Sequence, residues 1–137
     1  MPHLILTHTA NLSDDIAFDP LCRALADAMV ACRDEANELV FPTGGVRVMC
    51  LVAQHFAVSD GTRPADGFLY LNLRMKAGRN AAVHKAVGDT LMTIVKNHTA
   101  AAFARRTIGV TLQIDEGHEV YDAKHSNIHP LYNPLYA

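Results

Sequence analysis

The sequence has no surplus of positive charge. Lysine and arginine number 12 against 14 aspartates and glutamates, a formal net charge of −2. Nothing in that balance attracts nucleic acid or an anionic membrane. No apolar run approaches the ~18 residues needed to cross a bilayer. The start shows no basic region leading into an apolar stretch and a small-residue cleavage site, so no signal peptide is expected. Cysteine is scarce: Cys22, Cys32 and Cys50 are odd in number, widely spaced and set among apolar neighbours. That pattern predicts reduced core thiols in a cytoplasmic protein and excludes a disulfide framework. Cys50 has no base near it in sequence, which argues against a thiol nucleophile. There is no Gly-x-Gly-x-x-Gly, and no Lys-Ser/Thr follows Gly44-Gly45, so a phosphate loop is absent. Eight histidines are present, and His125 and His129 stand four apart near His118. Pro130 and the Ser126-Asn127-Ile128 stretch do not promise a helix there, and no cysteine completes a zinc set; no metal site is expected.

What remains is an ordinary globular composition, 50% apolar and 19% charged over 137 residues. That length buries one core, which predicts a single domain over 1–137. His3 to His8 reads as a strand that begins almost at the first residue, with a turn-like Asn11-Leu-Ser-Asp-Asp15 after it. A helix fits about 18–36, with Phe18, Leu21, Cys22, Leu25, Met29 and Cys32 on one face. Phe41-Pro-Thr-Gly-Gly45 stops it and turns the chain into a strand over Val46–Ala53. Ser59–Asp66 is a loop or hairpin tip. Phe68–Met75 alternates, with Leu69, Leu71, Leu73 and Met75 on one face. A long helix fits about 80–105, its buried stripe running through Val83, Val87, Leu91, Ile94, Val95, His98 and Ala102. Ile108, Val110, Leu112 and Ile114 alternate with polar residues in a last strand.

The order is β-α-β twice, in pseudo-repeat halves of about 1–58 and 66–118, followed by a tail over 119–137. The expected architecture is α/β (α+β): parallel pairing inside each unit, one four-stranded sheet, both helices on one face. The bare sheet face predicts self-association. The apolar tail, with Leu131, Tyr132, Leu135 and Tyr136 around two prolines, is expected to reach a neighbouring subunit.

Three residues draw the chemistry. Proline at position 2 permits removal of Met1, and Pro2 would then present a secondary amine tied within one residue of a strand. An α-amino group has a pKa of about 7.7–8.0, and burial or a nearby cation lowers it towards neutrality. Such a base suits proton transfer at carbon beside a carbonyl. Arg79, in Ala77-Gly78-Arg79-Asn80, falls where the third strand turns into the second helix, beside free helix N–H groups, a setting for a carboxylate or phosphate. Arg47 is the one charge on its strand.

The opening Pro2-His3-Leu-Ile, the Phe41-Pro42-x-x-Gly45-Val-Arg47 turn and the Ala77-Gly78-Arg79 turn resemble the 5-carboxymethyl-2-hydroxymuconate isomerase family of the tautomerase superfamily. So does the later Ile114-Asp-Glu-x-His118, Lys124, Asn127-Ile-His129-x-Leu131 pattern. The resemblance runs the length of the chain. It implies a tautomerase-like homotrimer acting without cofactor on an unsaturated 2-hydroxy or 2-oxo carboxylate in aromatic-compound catabolism. In it Pro2 is the proton shuttle, and Arg47 and Arg79 bind the substrate's carboxylates. Where family members tend to carry a second arginine two residues past the first, this chain has Met49, and Thr7-His8 replaces an acidic residue near the end of strand one. Two alternatives stay open: hydration, dehalogenation or decarboxylation by the same proline, and a non-catalytic oligomeric binding protein.

Overall fold

A computed structural model describes residues 1–133; Leu135 and Tyr136 of the tail lie outside the described residues. Four strands form one sheet: β1 (His3–Thr9), β2 (Arg47–Ala53), β3 (Gly67–Lys76) and β4 (Ile108–Gly117), in the order β2-β1-β3-β4. Helix α1 (Phe18–Ala31) joins β1 to β2, and α2 (Ala81–Phe103) joins β3 to β4. β1 runs parallel to β2, and β3 parallel to β4. The two β-α-β units meet antiparallel along β1 and β3. This is the expected single four-stranded sheet, mixed because each unit is parallel within itself and antiparallel to the other.

Alternation decides which face is covered. Leu4 and Leu6 of β1 and Leu69, Leu71, Leu73 and Met75 of β3 are buried against Leu21, Leu25 and Met29 of α1 and Val83, Val87, Leu91 and Val95 of α2. Both helices therefore lie on one face. Burying each such side chain stabilises the fold by about 1.5–3 kcal/mol before entropy is counted. Ile5, Thr7, Tyr70 and Asn72 point to the other face, where no element of the described chain covers them. On edge strand β2, Met49 is 40% and Leu51 52% exposed, values high enough to leave an apolar margin on the sheet. No helix among the described residues is long and apolar enough to cross a membrane.

Three expectations need correcting. Helix α1 ends at Ala31, not near 36, and it is not the Phe41–Gly45 segment that stops it. Cys32 is already extended, and Asp34 Oδ1 accepts from the N–H groups of Ala36 and Glu38 at 2.9 Å each, while Asn37 takes a left-handed φ of 63°. Asp34 and Asn37 thus nucleate a small turn closed by an Arg33–Leu39 bridge, competing with helix by side chain-to-backbone bonding. On α2, His98 is exposed and Thr99 is buried in its place, its Oγ1 donating to Val95 O at 2.7 Å. Finally, the tail's short helix α3 (His129–Tyr132) packs on its own chain's 3-10 turn, Thr43–Gly45, although Leu131 and Tyr132 stay exposed.

The cysteines are free and only partly buried. Burial, followed by the neighbouring Cys22 thiol of α1, pushes the Cys50 thiol of β2 up to about 11. A thiol held protonated in this way is a poor nucleophile.

Candidate active site

The topology gathers chemistry at one end of the sheet. Pro2 is buried immediately before β1, a strand paired on both sides. Its carbonyl accepts the Arg47 N–H at 3.3 Å, which ties it to the start of β2. Because β3 runs antiparallel to β1, His3 lies opposite Arg74, so the C-terminal end of β3 and the turn after it arrive beside Pro2. Because β2 is parallel to β1, the segment that feeds β2, Phe41 to Gly45, arrives there too.

Between these pieces lies a cavity of about 380 Å³, the size of a small-molecule site. Met1 and Pro2 form one wall; Phe41 and Pro42 a second; Met75, Lys76 and Arg79 a third. The fourth is the segment after β4, which contributes Asp122, Lys124, Ser126 and His129.

Arg79 is placed by its local sequence. Gly78 has φ +114°, a backbone state that glycine tolerates and other residues resist, and Asn80 caps α2 by accepting from Val83 N at 2.9 Å. The turn between them directs the guanidinium across to Val40. Nε and Nη2 donate to Val40 O at 3.2 and 2.5 Å, and Nη1 donates to Lys76 O at 2.8 Å. The group also lies 5.5 Å from the centroid of the buried Phe41 ring, a cation–π distance. A guanidinium has five N–H groups, so these bonds leave two for a ligand. Its partners here are neutral carbonyls, and its charge is not cancelled by them.

Arg47 is placed differently. Its Nη1 donates to Gly44 O at 2.9 Å and Val46 O at 2.8 Å, and it lines a separate groove between α1 and β2 with Cys22, Arg23 and Asp27. Within one chain, the structure brings Pro2 and Arg79 together and leaves the Arg47 side chain outside their cavity.

The field at this end is positive. His3 is held below the ordinary imidazole range by burial first, then by the charge of the amino terminus and of Arg47. Asp122 is held below the ordinary carboxyl range, chiefly by the hydrogen bond from Lys124 and further by the charges of Lys124, the amino terminus and Lys76.

Sequence reasoning noted Lys124 and His129 as part of a pattern without placing them in the site, and it missed Lys76, Asp122 and Ser126. The signal that locates His129 is Gly44-Gly45. A Cβ on Gly44 would meet His129 Cα at 3.1 Å, and one on Gly45 would meet His129 Nε2 at 3.6 Å and Pro2 Cδ at 3.7 Å. The two glycines are the seat of α3, and they let the imidazole settle beside the proline ring.

Comparison with known proteins points to one family. The family signature of 5-carboxymethyl-2-hydroxymuconate isomerase matches residues 2–132. A 5-carboxymethyl-2-hydroxymuconate Delta-isomerase of Escherichia coli is 24% identical over 96% of this chain and 99% of its own. A crystal structure of a 5-carboxymethyl-2-hydroxymuconate delta-isomerase is 42% identical, with a TM-score of 0.92 over 97% of this chain and 93% of that one. A 5-carboxymethyl-2-hydroxymuconate isomerase from Deinococcus radiodurans R1 is 33% identical, with a TM-score of 0.85 over 96% and 94%. A signature that runs from the buried proline into α3, together with the shared fold, places this chain in the 5-carboxymethyl-2-hydroxymuconate isomerase family, a family of isomerases.

Proposed function

We propose that this isomerase converts an unsaturated 2-hydroxy carboxylate of the 5-carboxymethyl-2-hydroxymuconate type into its 2-oxo isomer, with Pro2 as the proton carrier once Met1 has been removed. The observation that carries this is the cavity shared by Pro2 and Arg79, in which a guanidinium with two unused donors lies close to the proline. Arg79 binds a substrate carboxylate. Pro2 takes up the proton released by the enol and delivers it to the vinylogous carbon, and the conjugated carbonyl accepts the electrons. Proximity and electrostatic clamping supply most of the rate, and no cofactor is required for that chemistry. Burial and the surrounding cations favour the neutral amine that such a carrier needs.

In this reading the working unit is a cytoplasmic homotrimer; the uncovered sheet face and the apolar margin at Met49 and Leu51 support the self-association it requires. Arg47, at the start of the edge strand, serves as a second carboxylate ligand once subunits pack along that edge.

The test is ketonisation of 2-hydroxymuconate-type dienols, followed by ultraviolet absorbance. Protein shown by intact mass to lack Met1 is compared with protein that retains it and with Pro2→Ala. Processed wild type alone should turn over rapidly; equal rates in all three would refute the proline mechanism. Release of halide or carbon dioxide with negligible ketonisation, seen by proton NMR, would assign a different reaction to the same site.

A further inference from the structure

Lys76 ends β3 and lines the Pro2 cavity. Its main-chain carbonyl accepts the Arg79 Nη1–H at 2.8 Å, so the lysine side chain starts beside the guanidinium. The register that pairs His3 with Arg74, carried onward, sets Met75 opposite Pro2 and Lys76 opposite Met1. The space on the other side is taken. Lys76 pairs with Gly117 of β4, and the Arg74 guanidinium lies over that glycine. A Cβ there would meet Arg74 Nη2 at 2.5 Å and Nε at 2.9 Å. Like charge on that side favours a Lys76 ammonium turned towards the cavity. Among the described residues this ammonium makes no hydrogen bond or ion pair, whereas Lys124, the other lysine of the cavity, is paired with Asp122. The Lys76 charge does reach Asp122, where it adds to the larger effect of the Lys124 hydrogen bond in holding that carboxyl low.

We infer that Lys76 is a specificity-determining residue: it binds a second carboxylate of the substrate, at a distance from the one held by Arg79, and makes the site select dicarboxylates over monocarboxylates. This rests on the function proposed above and adds a ligand from the same chain, independent of the subunit packing that Arg47 requires. The two cations suit the two tasks. Arg79, fixed by carbonyls on two segments, offers a planar grip at one place. Lys76 offers a point charge on a flexible four-carbon stem, which can meet an anion standing off from the first. Of the lysine, arginine and carboxylate side chains that line the cavity, Lys76, Arg79 and Lys124 are cationic and Asp122 anionic. The excess of two positive charges matches a dianion. A monocarboxylate held by Arg79 would instead lay its hydrocarbon end against the Lys76 ammonium, displacing water from a charge and giving nothing back.

The experiment uses processed, full-length protein and two unreactive probes with the same six-carbon diene: muconate, with a carboxylate at each end, and sorbate, with one. By titration calorimetry at low ionic strength, wild type should bind muconate about ten- to a hundredfold more tightly than sorbate, as a charge-assisted hydrogen bond predicts. Lys76→Met keeps the apolar stem and removes the charge; it should weaken muconate alone and bring the ratio to about twofold or less. Lys76→Gln is read in the same way should the methionine variant fail to fold, and Lys76→Arg should keep most of the preference. In turnover of 2-hydroxymuconate, Lys76→Met should raise KM by about tenfold and change kcat less than about threefold. A wild-type ratio near one, a ratio that survives loss of the charge, or equal weakening of both probes would overturn the inference. Pro2→Ala separates the two readings. If it turns over rapidly, the proline mechanism fails and the subsite stands; if it is inactive while Lys76→Met keeps the muconate preference, the subsite alone fails.

Discussion

At the end of the sheet away from Pro2, the arginines face carboxylates. Arg63 Nε lies 3.2 Å from Asp66, Arg105 lies 3.5 Å from Asp15, and Arg106 pairs with Asp15 as well. At the Pro2 end, the hydrogen bonds of Arg79 and Arg47 among the described residues run to main-chain carbonyls. A carbonyl fixes a guanidinium in place without neutralising it, whereas a carboxylate does both. The first arrangement leaves charge for a ligand and the second uses it up. On the proposed function, this difference in partners, which composition does not reveal, is what leaves Arg79 and Arg47 with charge for a substrate carboxylate.

The sharpest way to break the comparison is to remove groups at the two ends and rank the losses. In processed protein, Pro2→Ala should lower kcat by about 10²–10⁴-fold, measured by dienol ketonisation. Arg79→Ala follows, with kcat/KM down by roughly ten- to a hundredfold, as expected for losing charged hydrogen bonds worth about 1.5–3 kcal/mol. Arg79→Lys should recover only part of this, since a lysine cannot span Val40 O and Lys76 O together. Gly44→Ala presses a methyl group against the backbone of α3 and should cost about 1–3 kcal/mol in urea unfolding while raising KM. Arg106→Ala should leave kcat/KM within about twofold and destabilise by ~1 kcal/mol or less, because the pair with Asp15 is partly exposed and screened. An activity loss there matching that of Arg79→Ala would erase the distinction between the two ends.

The smallest effect concerns pH. His3 has a folded pKa below 6.5, so just below that pH the unfolded chain binds a proton that the folded chain does not. Stability from this group is complete above pH 6.5 and declines as pH falls towards the depressed folded value. His3→Asn should flatten the fall in Tm across that window.

Most of the fold was legible because alternation in β1, β3 and β4 is strict and the inward residues are nearly all leucine, valine or isoleucine. The helix stripes were legible where they repeat. The buried line on α2 advances by fours through Val83, Val87, Leu91, Val95 and Thr99, and such a line drifts around the helix axis; a stripe drawn with a mixed three-and-four step therefore reaches His98 instead. The end of α1 was hidden because Ala31, Ala36 and the charges between them suit a helix, while the hydrogen bonds of Asp34 that end it involve no hydrophobic pattern. In the site, Pro2 and Arg79 were readable from their positions at element ends. Lys124, Ser126 and His129 have no periodicity to report them, since the stretch between β4 and α3 has no regular structure, and only the packing of α3 on Gly44-Gly45 brings them over the cavity.

Pro2 stands at the head of β1, one of the two inner strands, with Met1 lining the cavity beside it. On the proposed mechanism, a subunit that retains Met1 would fold with the same sheet and be catalytically silent, since its proline nitrogen is an amide. Turnover per milligram of purified protein would then report how thoroughly the producing cell's aminopeptidase had trimmed the chain, and neither a melting curve nor a circular dichroism spectrum would register the difference.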